Sequence, residues 1–173
     1  SSTANVANIF VDDVVVYNAV PAAIGNAAPT VTTDAAPSAI GTTTATLNGN
    51  VTSDGGSNVT GRGVVYAETA TNSTPAISGT GVTDLSTGGT TGAFSVSATS
   101  LAVNTQYSYR AYAINGIGTS YGGVSGTTFY TLANTPTAPT VDGATSGSLN
   151  VTIGGADGNP SVTEYAIQET GSS

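Results

Sequence analysis

A chain of 173 residues with 10 acidic and 2 basic side chains, net charge −8, offers little to a polyanion. Nucleic acid and anionic membranes are held through Lys and Arg, and here only Arg62 and Arg110 are present. The absence of Cys, His and Lys excludes disulfides, thiolate metal sites, imidazole bases and triads, lysine Schiff bases and the phosphate-binding lysine of a P-loop.

Leu, Ile, Val and Phe total 34 of 173 residues, close to the fraction at which disorder becomes a serious reading. Disorder also needs strong self-repulsion, and only 7% of the residues are charged. The apolar residues come in short alternating runs, so the chain reads as folded with a thin core. The 31 threonines suit half-buried, pleated strands, and the 23 glycines with Asn and Pro suit the turns between them. No helix-period stretch appears. The pattern predicts an all-β protein, an antiparallel β-sandwich with partial β domains on either side. No apolar run reaches the ~18 residues of a membrane helix, and Ser1-Ser2-Thr3 does not open a secretion signal.

In chain order, Ile9 to Tyr17 has apolar residues on both parities, as in a strand covered on both faces. Residues 1–20 are therefore expected to hold the terminal strand of a preceding sandwich, and 21–28, small and proline-containing, a linker. Residues 29–132 read as one sandwich domain. Pro29 to Thr33 opens it as an edge strand. Ala45, Leu47 and Val51 alternate inward against outward Thr46, Asn48 and Asn50. Asp54-Gly55-Gly56 turns the chain into a strand over 59–68, containing Gly63-Val64-Val65-Tyr66. A loose Ser/Thr/Gly stretch, 69–91, carries short strands anchored by Ile77, Val82 and Leu85. Phe94, Val96 and Ala98 alternate again, and 106–115 pairs with 124–132 as a closing hairpin around Gly116-Ile117-Gly118. Residues 133–173 hold the first strands of a second, incomplete domain: Ser148 to Ile153, then Val162 to Glu169 with Tyr165 and Ile167 on one face.

Asp12 and Asp13 are the only adjacent carboxylates. Neighbours on a strand face opposite ways, so the pair cannot easily share a proton. Calcium is the ion that such hard oxygens would take at a domain boundary, and it is the one cofactor considered. The plainer reading, a strand end whose carboxylates cap backbone donors, is preferred. Glycoside hydrolysis needs two carboxyls facing across a cleft, and the remaining acids stand isolated in turn-like contexts, so no catalytic residue is expected. Tyr107 and Tyr109 share one parity and Tyr112 the other, which predicts a split between core and surface rather than a sugar-stacking platform. Arg62 and Arg110 are expected to pair across strands with one another or with Glu68. Four glycosylation sequons, at Asn50, Asn58, Asn72 and Asn150, are matches that so Asn- and Thr-rich a chain produces by chance.

Three runs carry a family resemblance: Ala45-Thr46-Leu47-Asn48-Gly49-Asn50-Val51-Thr52, Gly61-Arg62-Gly63-Val64-Val65-Tyr66, and Leu101 to Asn115. With Gly118-Thr119-Ser120-Tyr121-Gly122 they resemble a fibronectin type III domain of bacterial, Bacteroidetes-like surface and secreted proteins. Leu101 six residues before Tyr107 looks like a tyrosine corner, which implies a phenol folded over its turn and bonded to backbone there. The family's inner tryptophan is missing, so Leu47 and Val51 must fill its volume. Phe94 is a further core residue, and Tyr165 stands at the third strand of the second domain. The opening segment is similar to the closing strand of a laminin-G-like or carbohydrate-binding jelly roll.

The resemblance implies a non-catalytic structural or adhesive segment of a larger multidomain extracellular protein. Its partners would be neighbouring β domains or other copies, and glycans, with neither nucleic acid nor membrane insertion. Two rivals are a spacer or glycan-binding region of a secreted carbohydrate-active enzyme, and a subunit of a self-assembling filament.

Overall fold

A computed structural model describes residues 25–34, 36–123, 128–153, 157–161 and 163–166. The segment Ile9 to Tyr17 with Asp12 and Asp13, residues 21–24 of the linker stretch, and Ile167 lie outside them. Every regular element among the described residues is a strand. The chain is an all-β protein with antiparallel sheets.

Two sheets face each other. The smaller has the order β1-β2-β5, formed by β1 (Thr30–Thr33), β2 (Ala45–Ser53) and β5 (Gly92–Ala98). The larger has the order β4-β3-β6-β7, with β3 (Gly61–Glu68), β4 (Thr83–Thr87), β6 (Gln106–Ile114) and β7 (Thr119–Tyr121). A further strand, β8 (Thr128–Tyr130), pairs with the beginning of β6, while β7 pairs with its end. The closing strand expected over 124–132 thus begins earlier and comes in two pieces. A separate two-stranded sheet follows, β9 (Thr140–Asp142) and β10 (Asn150–Thr152).

β2 shows why these residues make strands. Its inward positions Ala45, Leu47 and Val51 are buried and its outward Thr46, Asn48 and Asn50 half-exposed, the period-2 pattern of a one-sided sheet. Gly49, on the inward parity, is small for a reason. A Cβ there would stand 2.5 Å from Ala111 Cβ on the opposite sheet and 2.8 Å from Phe94 Cζ. The two sheets therefore approach closely at Gly49 and Ala111, and the Phe94 ring fills the space beside them. Leu47, Val51, Phe94 and Leu101 all belong to the core, with Val64, Tyr66, Tyr107, Tyr109 and Phe129 from the larger sheet. Three aromatic contacts tie the rings together: Tyr107 stacks on Phe129 at 5.8 Å, and Tyr66–Tyr107 and Tyr109–Phe129 meet edge to face at 6.0 and 6.1 Å.

The outer face of the larger sheet is also covered. Val65, Ala67, Ser108 and Tyr112 face away from the core, yet all are buried. The connection between β3 and β4 lies over them. Its Pro75 is fully buried, Thr69 Oγ1 and Ser108 Oγ share a hydrogen bond at 2.8 Å, and Ile77 N donates to the Tyr121 hydroxyl at 3.0 Å. This corrects the parity expectation for the tyrosines. Tyr107, Tyr109 and Tyr112 do point to two faces, but none is exposed, because a connecting segment seals the second face.

In the last block, β10 occupies part of the strand expected from Ser148 to Ile153. The strand expected over 162–169 is not formed in its described part, Thr163 to Ala166. Val141 and Leu149 there remain more than half exposed.

Candidate functional site at the two poles of the sandwich

The strands of both sheets run between two poles, and side chains that the strands themselves do not use collect there. At the leading pole, where the chain comes in, Asn115 is buried behind the end of β6. Its Nδ2 donates to Ala27 O at 2.7 Å and Asp54 O at 2.8 Å, and its Oδ1 accepts from Ile117 N and Gly118 N at 2.9 and 3.1 Å. Ala27 N in turn donates to Gly55 O at 2.8 Å. Gly55 has φ +69°, and a Cβ would come within 2.2 Å of Ala27 O, so the turn must present glycine to the incoming chain. The stretch read as linker is already bonded to the sandwich at Ala27.

At the trailing pole, Tyr107 Oη accepts from Ala102 N at 2.8 Å, and Leu101 is buried beside it. Burial pushes the Tyr107 phenol up from its ordinary pKa. The buried Thr131 hydroxyl accepts from Thr105 N at 2.9 Å and donates to Ala102 O at 2.6 Å, fastening the chain after β8 to the same turn. Leu132 N then donates to Gly41 O at 2.9 Å.

Beyond Leu132 a hydrogen-bonded joint links the sandwich to the last block. Asn134 N donates to Asn159 Oδ1 at 2.7 Å, Asn134 Nδ2 to Asp157 O at 2.7 Å, and Asn159 Nδ2 returns to Asn134 O at 3.0 Å. Tyr165, expected on a strand, instead donates its hydroxyl to Asp157 Oδ2 at 2.6 Å. That donation, with Asn159 N–H, holds the Asp157 carboxyl below its ordinary pKa and pushes Tyr165 up. Asn104 Nδ2, from the tyrosine turn, donates to Thr163 Oγ1 at 2.8 Å. In the sequence these Asn residues look like any of the others.

Tyr109 and Tyr112 hydrogen-bond beyond their own strand. Tyr109 spans the core and donates to Asp34 O just past β1. Burial first, then the Asp34 charge, pushes its pKa up to about 12. Tyr112 is also raised, by burial and by its 2.8 Å bond to Asp84 Oδ1. The arginine pairing expected from sequence is corrected. The Arg62 guanidinium lies 4.8 Å from the Phe94 ring centre and donates to Gly88 O, Thr90 O and Gly92 O at 3.0, 2.8 and 3.1 Å. Arg110 lies 4.7 Å from the Tyr121 ring centre and donates to Gly122 O at 3.1 Å. Register explains it: Arg62 sits opposite Ala113 and Arg110 opposite Val65, so neither faces the other or Glu68 across a ladder. Among the described residues, no group of three or more acidic side chains could hold a metal ion, and no helix is long and apolar enough to cross a membrane.

No protein-family model matches the chain, and no curated protein matches it. It has a partial likeness to the sensor domain of the anti-sigma factor RsgI4 of Pseudobacteroides cellulosolvens, at 19% identity and TM-score 0.45 over 61% of this chain and 96% of that one. A second structure of that sensor domain gives 19% identity and TM-score 0.44 over 66% and 99%. A crystal structure of titin domains gives 19% identity and TM-score 0.36 over 56% of this chain and 29% of that one. The antiparallel sandwich itself stands on the strand pairing described above.

Proposed function

We propose that the chain is a non-catalytic, in-line structural segment of a larger multidomain extracellular or cell-surface protein. Residues 29–132 act as a fibronectin-type-III-like domain, 1–20 as the terminal strand of a preceding sandwich, 21–28 as its linker, and 133–173 as the first strands of a following domain. The observation that carries this reading is the separation of the two joints. The chain comes in at the pole of Asn115 and Gly55 and leaves at the pole of Tyr107 and Thr131, with nine-residue strands between them. At ~3.3 Å per residue such strands hold the joints ~30 Å apart. A linker bonded to its domain at each end transmits orientation, which a free linker does not.

The family assignment draws support from β4 pairing with β3 in the larger sheet and from the bonded corner at Tyr107. The non-catalytic part draws support from the residue inventory, since the commonest general base and the strongest nucleophiles are missing from the chain.

Amide relaxation measured on the whole chain tests the reading. The sandwich and residues 134–166 should tumble with one correlation time, and Asn134→Ala should separate them while leaving sandwich shifts unchanged. Independent tumbling of the two parts in the unaltered chain would overturn it.

A further inference from the structure

The polar side chains at the poles mostly serve backbone groups, as Asn115, Thr131 and Thr105 do. At one place several of them line a cavity without a partner among the described residues. Between the ends of β3 and β4 and the Leu101 turn lies a crevice of about 370 Å³, near the lower bound for small-molecule pockets. Tyr66, Glu68, Thr71, Thr83 and Ser100 line it, and none of these side chains is hydrogen-bonded to another described residue. The Tyr66 and Tyr107 rings meet edge to face at 6.0 Å at its base.

The base is rigid. Tyr107 is held through Ala102 N, and both tyrosines belong to the packed core. Ser100, with φ 58°, is one of four described non-glycine residues in the left-handed region. A fixed base under several uncommitted polar groups needs little ordering when a ligand arrives.

The ligand's chemistry follows from the lining. Four hydroxyls can each donate or accept, and one carboxylate can accept from two neighbouring donors. Adjacent hydroxyls on a sugar ring fit that set. A single carboxylate on a chain of net charge −8 turns away phosphates and uronates, and the hydroxyl-rich rim disfavours an apolar guest. We propose that the crevice of Tyr66, Glu68, Thr71, Thr83, Ser100 and Tyr107 binds one neutral sugar residue, free or at the end of a glycan. This goes beyond the structural role and does not depend on it.

Backbone-amide chemical-shift titration of the whole chain tests it, using the methyl glycosides of glucose, galactose, mannose and N-acetylglucosamine, with glucuronate and spermidine as charged probes. At least one neutral glycoside should give saturable shifts confined to 67–71, 81–83 and 100–102, and glucuronate should bind more weakly. Glu68→Gln and Thr83→Val, both solvent-facing, should each weaken binding about tenfold at an unchanged melting temperature. A neutral disaccharide that binds more tightly than its monosaccharide identifies a glycan end as the natural source, and equal affinity identifies free sugar. The proposal is overturned if no neutral glycoside saturates at those amides, if the two substitutions leave binding unmoved, or if spermidine alone saturates there.

Discussion

Tyr107 joins packing to hydrogen bonding in one side chain. Its ring stacks on Phe129 and its hydroxyl is the acceptor for Ala102 N. Tyr107→Phe keeps the ring and leaves that N–H without a partner in a partly buried turn, so we expect a loss of about 1–3 kcal/mol in urea unfolding. The other phenols give the molecule an alkaline limit. The Tyr109 pKa is raised from 10.0 to about 12, and Tyr107 and Tyr112 are raised as well. Between those values the unfolded chain releases protons that the folded one keeps, so stability falls as pH rises from 10 towards 12. Urea midpoints measured across that window should decline, and Tyr109→Phe should flatten the decline. Part of this was legible in sequence. The spacing of Leu101 and Tyr107 is local, and the corner it implied needs only a turn. The burial of Tyr112 was not legible, because its cover comes from a connection with no apolar period, where Pro75 rather than Ile77 is the fully buried residue. The partners of Arg62 and Arg110 were not legible for a similar reason: they are ring faces and loop carbonyls, which no spacing reveals.

Strand β2 shows how a thin composition still closes a sandwich. Its alternation was plain in the sequence, but the role of the inward glycine in its middle was not. In the fold, the sheets come close at Gly49, and Phe94 and Ala111 occupy the space a side chain would need. Gly49→Ala should therefore destabilise by about 1–3 kcal/mol through overpacking, although alanine ordinarily suits a strand no worse than glycine. Thermal unfolding of the variant checks the sign, and a stabilised protein would refute the close approach. The closing strand is a different case. Its pairing with β6 was legible, but its division into β7 and β8 was not. Thr33 Oγ1, at the end of β1, accepts Ala111 N, and Gly122 N donates to Ala111 O, so β1 meets β6 near the end of β7. Such a crossing between sheets is a long-range event that a one-strand pattern does not carry.

At the scale of the molecule, the all-β antiparallel sandwich followed from short apolar runs separated by turn residues, while the strand order within each sheet did not. The joints at the two poles did not, because they are built from Asn side chains in a chain full of Asn. An in-line role requires those joints to lie at opposite ends of one rigid sandwich. The absence of Cys makes the direct measurement simple, since Asn26→Cys and Thr135→Cys place spin labels on the incoming and outgoing chain alone. Pulsed dipolar spectroscopy should then return one narrow distance population at ~30 Å or more, set by the length of β2 and β6. A broad distribution, or a peak below ~20 Å, shorter than a six-residue strand, would contradict it.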